Sequence, residues 1–205
     1  MASTLKINNL DTASGTTITV PTGKQIVGTD TGSFIAPGQI VQIVTHRHGD
    51  LPQHNSSSWT EISSNYRVTI TPKYSNSKIV LCARTTVNPG GVASNTIFLW
   101  SLRRSTNGGS SFTNLTSETD GNTGARWGIN GGAARRINGY DTNDMNPIGW
   151  DAVDTPGVTT AVIYSPFCKQ ETSGTGIMYW GHSAGNTANW GWHHFYTITA
   201  TEIKV

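Results

Sequence analysis

The chain has 205 residues, 14 Lys and Arg against 12 Asp and Glu for a net charge of +2, and only 13% charged residues, where an ordinary soluble domain carries roughly 25%. Its basic residues occur singly or as the pairs Arg103-Arg104 and Arg135-Arg136, which argues against a nucleic-acid-binding protein, since such a protein needs a clustered basic face. No apolar run approaches the roughly 20 residues that cross a bilayer, so no membrane insertion is expected, and residues 1–11 lack the apolar core of a signal peptide, so assembly in a cytoplasm is expected.

Twenty-three Gly and eight Pro are spread along the whole chain, and no window sustains a helical period of apolar residues, which together predict an all-β protein of short strands and many turns. Residues 1–38 hold strand candidates at 4–7, 16–20 and 25–28, separated by turn formers at 11–15, 21–23 and 30–33. No aromatic precedes Phe34. This segment is too polar to offset its own ordering entropy. It is expected to be an extended stalk that borrows its order from partners, with Leu5, Ile7, Leu10, Ile18, Val20, Ile26 and Val27 as the attachment residues. The other reading is an arm exchanged between subunits of an ordinary oligomer.

From residue 39 the pattern becomes that of a folded knob, 39–205. Strands are expected at 39–45, 59–62, 66–71, 78–87, 96–103, 159–164, 176–180 and 195–205, with a turn at 72–77. Ile79-Val80-Leu81 and Ile97-Phe98-Leu99-Trp100 are apolar on both faces and so require cover on both. A second sheet supplies one cover, and a sister subunit is expected to supply the other. Residues 104–158 read as long loops holding weak strands at 125–129 and 134–138, and loops of that length are commonly functional. Cys82 and Cys168 read as two buried thiols, with a disulfide between neighbouring strands as the alternative.

The segments STLKINNL (3–10), PGQIVQIV (37–44), ITPKYSNSKIVL (70–81), FLWSLRRS (98–105) and TITATEIKV (197–205) resemble those of short fibre or virion-surface proteins of marine and freshwater tailed phages. The resemblance covers most of the chain and departs from it in residues 104–158. It implies an N-terminal attachment segment followed by a jelly-roll-like antiparallel β-sandwich knob, a homotrimer, and a place in the virion beside tail, neck or capsid proteins held through residues 1–38. It implies no enzymatic chemistry and no cofactor. Within that frame the chain reads first as a short homotrimeric fibre whose knob meets the host surface, then as a capsid decoration trimer, then as a glycan hydrolase.

Three groups of residues carry candidate sites. His46 and His48 end a strand as an H-x-H pair whose rings share a face. Around a three-fold axis such pairs would offer six nitrogens to a transition metal, or they are two solvated histidines. Tyr179, Trp180, Trp190 and Trp192 flank a small polar loop and suit the apolar face of a host glycan, or Trp190 and Trp192 fill the core or a subunit interface. Asp151 and Asp154 could sit across a glycosidic bond as a carboxylate pair, but among Gly and Pro they read first as turn residues. The sequons Asn55-Ser56-Ser57 and Asn114-Leu115-Thr116 are chance matches in a protein of this kind.

Overall fold

The computed structural model describes residues 20–27, 36–90, 97–115, 132–136, 145–170, 176–183 and 194–205. The chain divides into two compact units, Met1–Phe34 and Ile35–Val205. In the first unit the described stretch makes one turn, where the Lys24 amide donates to the Pro21 carbonyl at 3.0 Å. Gly23 holds φ at 79° there, a conformation glycine adopts without steric cost. Val20, Ile26 and Val27 are exposed, and residues 25–27 form no strand. Leu5, Ile7, Leu10 and Ile18 lie outside the described residues, as do the strand candidates at 4–7 and 125–129.

The second unit is all-β, with no α-helix among the described residues. Its strands are β1 (Ile40–His48), β2 (Gln53–His54), β3 (Thr60–Glu61), β4 (Val68–Ile70), β5 (Lys78–Gly90), β6 (Ile97–Ser105), β7 (Thr113–Asn114), β8 (Gly132–Arg136), β9 (Asn146–Asp154), β10 (Val162–Gln170), β11 (Ile177–Trp180) and β12 (Tyr196–Ile203). They form two antiparallel sheets. Sheet I runs β1-β12-β5-β11-β2, with β9 also on β5; sheet II runs β3-β10-β6-β7, with β4 on β10 and β8 on β6. Val87 pairs with both Trp180 and Asn146, and Ile79 with both Glu202 and Asp154. A residue has only two ladder neighbours, so β11 and β12 share one edge of β5 and β9 occupies the other.

Period-2 alternation places the core between the sheets. Ile79, Leu81, Ala83, Trp150, Tyr196, Ile198 and Ala200 face inward from sheet I and meet Val68, Ile70, Phe98, Trp100, Leu102, Val162 and Tyr164 from sheet II. The two doubly apolar runs differ in what covers their outer side. Leu99 is 1% exposed within this single chain, so its burial needs no sister subunit, whereas Val80 on β5 is left partly open on the outer face of sheet I.

The largest departure from the sequence reading is β9, which was expected to be loop. It pairs with β5 over nine positions and points Ile148, Trp150 and Asp154 inward. Its turn-forming residues Pro147 and Gly149, with Asp151, all fall on the outward phase of an edge strand, where proline and glycine are tolerated. β2 and β7, of two residues each, were also unanticipated.

Candidate functional site

His46 and His48 do share a face, with their rings stacked at 6.0 Å and 12°. Pairing with Ile198 and Tyr196 sets both on the inward phase of β1, where they lie over a 3-10 turn (Ser64–Tyr66). His46 Nε2 donates to the Asn65 carbonyl at 2.8 Å, and His48 Nδ1 accepts from the Asp50 amide at 3.0 Å. One nitrogen of each ring is therefore committed to holding the turn. Ser63 caps that turn, its hydroxyl accepting from the Asn65 amide and donating to Asp50 Oδ2. The Ser63 hydroxyl holds the Asp50 carboxyl below its usual range, against the opposing push of burial. Tyr66 stacks on Tyr196 at 4.2 Å and donates its hydroxyl to the Asp50 carbonyl. No group of three or more metal-ligating side chains occurs among the described residues.

Trp180 is a correction. It was a candidate for sugar stacking, but its exposure is 0%. The inward phase of β11 inserts it between the sheets, 6.4 Å from Trp150, which in turn lies 6.4 Å from Trp100. A ring in the core cannot stack on a surface sugar. Tyr179, on the opposite phase, is half-buried with its ring edge-on to His182 at 5.1 Å. Trp190 and Trp192 lie outside the described residues. A described depression of about 350 Å³ is lined by Arg84, Thr85, Thr86, His194, Phe195 and Thr197, with Arg47 resting 3.8 Å over the Phe195 ring.

The carboxylates are structural. Asp151 and Asp154 are strand residues, not turn residues, and their spacing sends them to opposite faces of β9. Asp154, 2% exposed, accepts from Arg104 at 2.8 and 3.0 Å and from the Tyr164 hydroxyl at 2.8 Å. Burial and the neighbouring Asp154 charge push the Tyr164 hydroxyl far above its ordinary pKa. Glu61 is gripped by Arg67 at 2.7 and 2.8 Å and by Ser165 at 2.6 Å. Burial raises the pKa of its carboxyl, and the hydrogen bonds from Arg67 and Ser165 more than reverse that. Both cysteines are free thiols, which removes the disulfide reading. Cys168 is in the core, but Cys82 is only half-buried, on the outer phase of sheet I.

The outer face of sheet I is open, whereas on that of sheet II Leu99, Ser101, Ser165 and Phe167 are buried and Trp59, Arg67, Arg103, Phe112 and Lys169 stay partly open. On sheet I the register aligns Ile43, Thr201, Val80 and Val153 in one row, Thr45, Thr199, Cys82 and Asp151 in the next, and Arg47, Thr197, Arg84 and Gly149 in a third. Ile40 and Ile203 continue the apolar end. Ile43 and Val153 are each 59% exposed and Ile40 is 53% exposed, so β-branched side chains cluster on one flat face. On sheet II the outer face carries Trp59, Phe112 and Phe167 interleaved with Arg67, Arg103 and Lys169. Sequence reading expected apolar outer sides at 79–81 and 97–100 but did not assemble either face. The signal for the first lay in the alternation of residues 197–203, but which strands flank them is not local information.

No family model matches the chain, and no curated protein matches it. Among solved structures it is similar to a chain from "Structure of infectious bursal disease virus Gt strain", at 12% identity and a TM-score of 0.37, over 88% of this chain and 42% of that one. The chain thus spans less than half the length of that structure, and a likeness at this level bears on neither its fold nor its function.

Proposed function

We propose that this chain is a non-enzymatic structural protein of a virus particle, a short homotrimeric fibre of the tailed-phage kind its sequence resembles. Residues 1–38 dock it to other virion proteins and the sandwich faces outward toward the host. The observation that carries this reading is the outer face of sheet I. Five β-branched apolar residues (Ile40, Ile43, Val80, Val153 and Ile203) and a ladder of threonines form an apolar surface that a monomer gains nothing by displaying. Arg47 and Asp151 stand near opposite edges of it, so copies of this chain can pair those charges across an interface.

The strand order supports the same reading. With the principal strands β1, β4, β5, β6, β8, β9, β10 and β12 counted from one to eight, the sheets run 1-8-3-6 and 2-7-4-5, the order of a jelly roll. That architecture recurs in viral capsid and lectin domains, although an architecture alone assigns no function. The absence of enzymatic chemistry is inferred from Asp50, Glu61 and Asp154, each committed to hydrogen bonds that build the fold, and from Asp151 and Asp154 facing opposite sides of β9.

Light scattering during size exclusion tests the assembly. The chain is expected to elute as a trimer at micromolar concentration. Ile43→Glu and Val153→Glu are each expected to shift it toward monomer, because a charge desolvated without a partner is costly, while folding is retained since both positions are exposed. A wild-type monomer, or a trimer indifferent to both substitutions, overturns the reading.

A further inference from the structure

The outer face of sheet II holds a cation pair with no carboxylate partner among the described residues. Register places Arg103 opposite Ser165, Phe167 opposite Ser101 and Glu61, and Lys169 opposite Leu99, all on the outward phase. Trp59, two residues before Glu61, shares that phase. The Arg103 guanidinium lies 4.8 Å from the centres of both the Trp59 and the Phe167 rings, and Lys169 Nζ lies 5.2 Å from the same Trp59 ring. One indole therefore gathers two positive charges.

Two neighbouring cations with described side chains are already paired. Arg67 is paired with Glu61, and Arg104, on the inward phase, is paired with Asp154. Among the described residues Arg103 and Lys169 have no carboxylate partner. The side-chain hydrogen bond of Arg103 is a long one, from Nε to the Ser101 hydroxyl at 3.5 Å. Burial also disfavours the Arg103 charge, lowering its pKa. Ring faces hold a cation in place and attract it weakly, but they do not neutralise it. Two like charges brought together on a half-buried apolar platform are stabilised most by an anion that bridges them.

We propose that Arg103 and Lys169, positioned by Trp59, form a binding site for an acidic sugar, one bearing a carboxylate or sulfate group. The planar guanidinium offers paired donors to such an oxyanion, and the ammonium offers a second point of charge. The surrounding surface presents the partly open rings of Trp59 and Phe112, which suits an extended saccharide whose apolar ring face rests on an aromatic edge while its charged group reaches the cations. A nucleic acid fits less well, because two cations do not make a row of phosphate contacts and Glu61 lies at the border of the patch. This site names what the exposed sandwich would touch and in that respect rests on the surface-protein reading. Its test reads ligand binding and not assembly, so the two can fail separately.

Titration calorimetry of the full chain with an oligouronate, a sulfated dextran fragment, a neutral dextran fragment and inorganic sulfate tests it. The two acidic saccharides are expected to bind, with affinity falling as salt is raised, and the neutral fragment is expected not to. Arg103→Met and Lys169→Met keep the apolar stems that cover Trp59 and Phe167. Each is expected to weaken acidic saccharide binding about tenfold, the loss of one charge-assisted contact, with near-ultraviolet circular dichroism unchanged. Equal binding of neutral and acidic fragments overturns the proposal, as does binding that survives both substitutions. Inorganic sulfate binding as tightly as the saccharides, or an oligonucleotide binding more tightly, overturns the assignment to a sugar.

Discussion

Replacing Glu202 by alanine is expected to lower the stability of the fold by about 3–5 kcal/mol, the cost of breaking a buried charged network. The inward phase of β12 puts this carboxylate at 0% exposure, beneath the turn that joins β4 to β5. Oε1 accepts from the Lys73 amide at 2.8 Å, the Tyr74 amide at 3.2 Å and the Ser77 hydroxyl at 2.7 Å, while Oε2 accepts from Gln42 Nε2. Truncation leaves all four donors without that acceptor, and an unmade buried hydrogen bond costs more than a made one contributes. Glu202→Gln keeps one oxygen and is expected to fall between wild type and alanine.

Acid should erase part of this difference. Burial raises the Glu202 pKa, but the hydrogen bonds from Ser77, Gln42, Lys73 and Tyr74 bring it below its ordinary value of 4.5. A carboxyl whose folded pKa is depressed stabilises the fold fully above its unfolded pKa, and that contribution is lost as pH falls through the folded value. Urea unfolding at a fixed chain concentration should therefore show the gap between wild type and Glu202→Gln narrowing below about pH 4.5. A gap that stays constant from neutral to acid pH would show that the carboxylate charge contributes nothing.

Trp180→Ala is expected to be as damaging, again about 3–5 kcal/mol, because it empties a fully buried site at one end of the row Trp100, Trp150 and Trp180. Its indole N–H has no hydrogen-bond partner among the described residues, so Trp180→Phe forfeits volume and little else and should cost about 1–2 kcal/mol. The pair of variants separates the core role from the sugar-stacking role first assigned to this residue. Trp180→Phe should leave saccharide binding unchanged while lowering the unfolding midpoint. A loss of binding at full stability would restore the surface role.

How much of this was legible depended on whether the signal was local. The strand at 195–205 was readable because Tyr196, Ile198, Ala200 and Glu202 alternate with Thr197, Thr199, Thr201 and Ile203. That alternation could not show a carboxylate on the buried phase, since the donors that make Glu202 tolerable come from residues 42 and 73–77. The strand β9 was hidden because Pro147, Gly149 and Asp151 read as turn chemistry. They are harmless there only because the strand is an edge and they all point outward. The H-x-H geometry was foreseen correctly, but not the backbone groups of Asp50 and Asn65 that each take one ring nitrogen. For the acidic-sugar site, Trp59 just before β3, Arg103 of β6 and Lys169 of β10 come from segments that carry no mark of one another.

By itself, then, the sequence determined the period of most of the long strands, though not of β9, the positions of most turns and the all-β class, because these follow from two-residue alternation and from Gly and Pro chemistry within a few residues. Tertiary structure alone decided which phase of each strand is buried, what lines each outer face and which charges are neutralised. The physical reason is that ladder pairing is non-local: β1 reads its face from β12, some 150 residues away, and a one-residue shift in that register would exchange every inward side chain for an outward one.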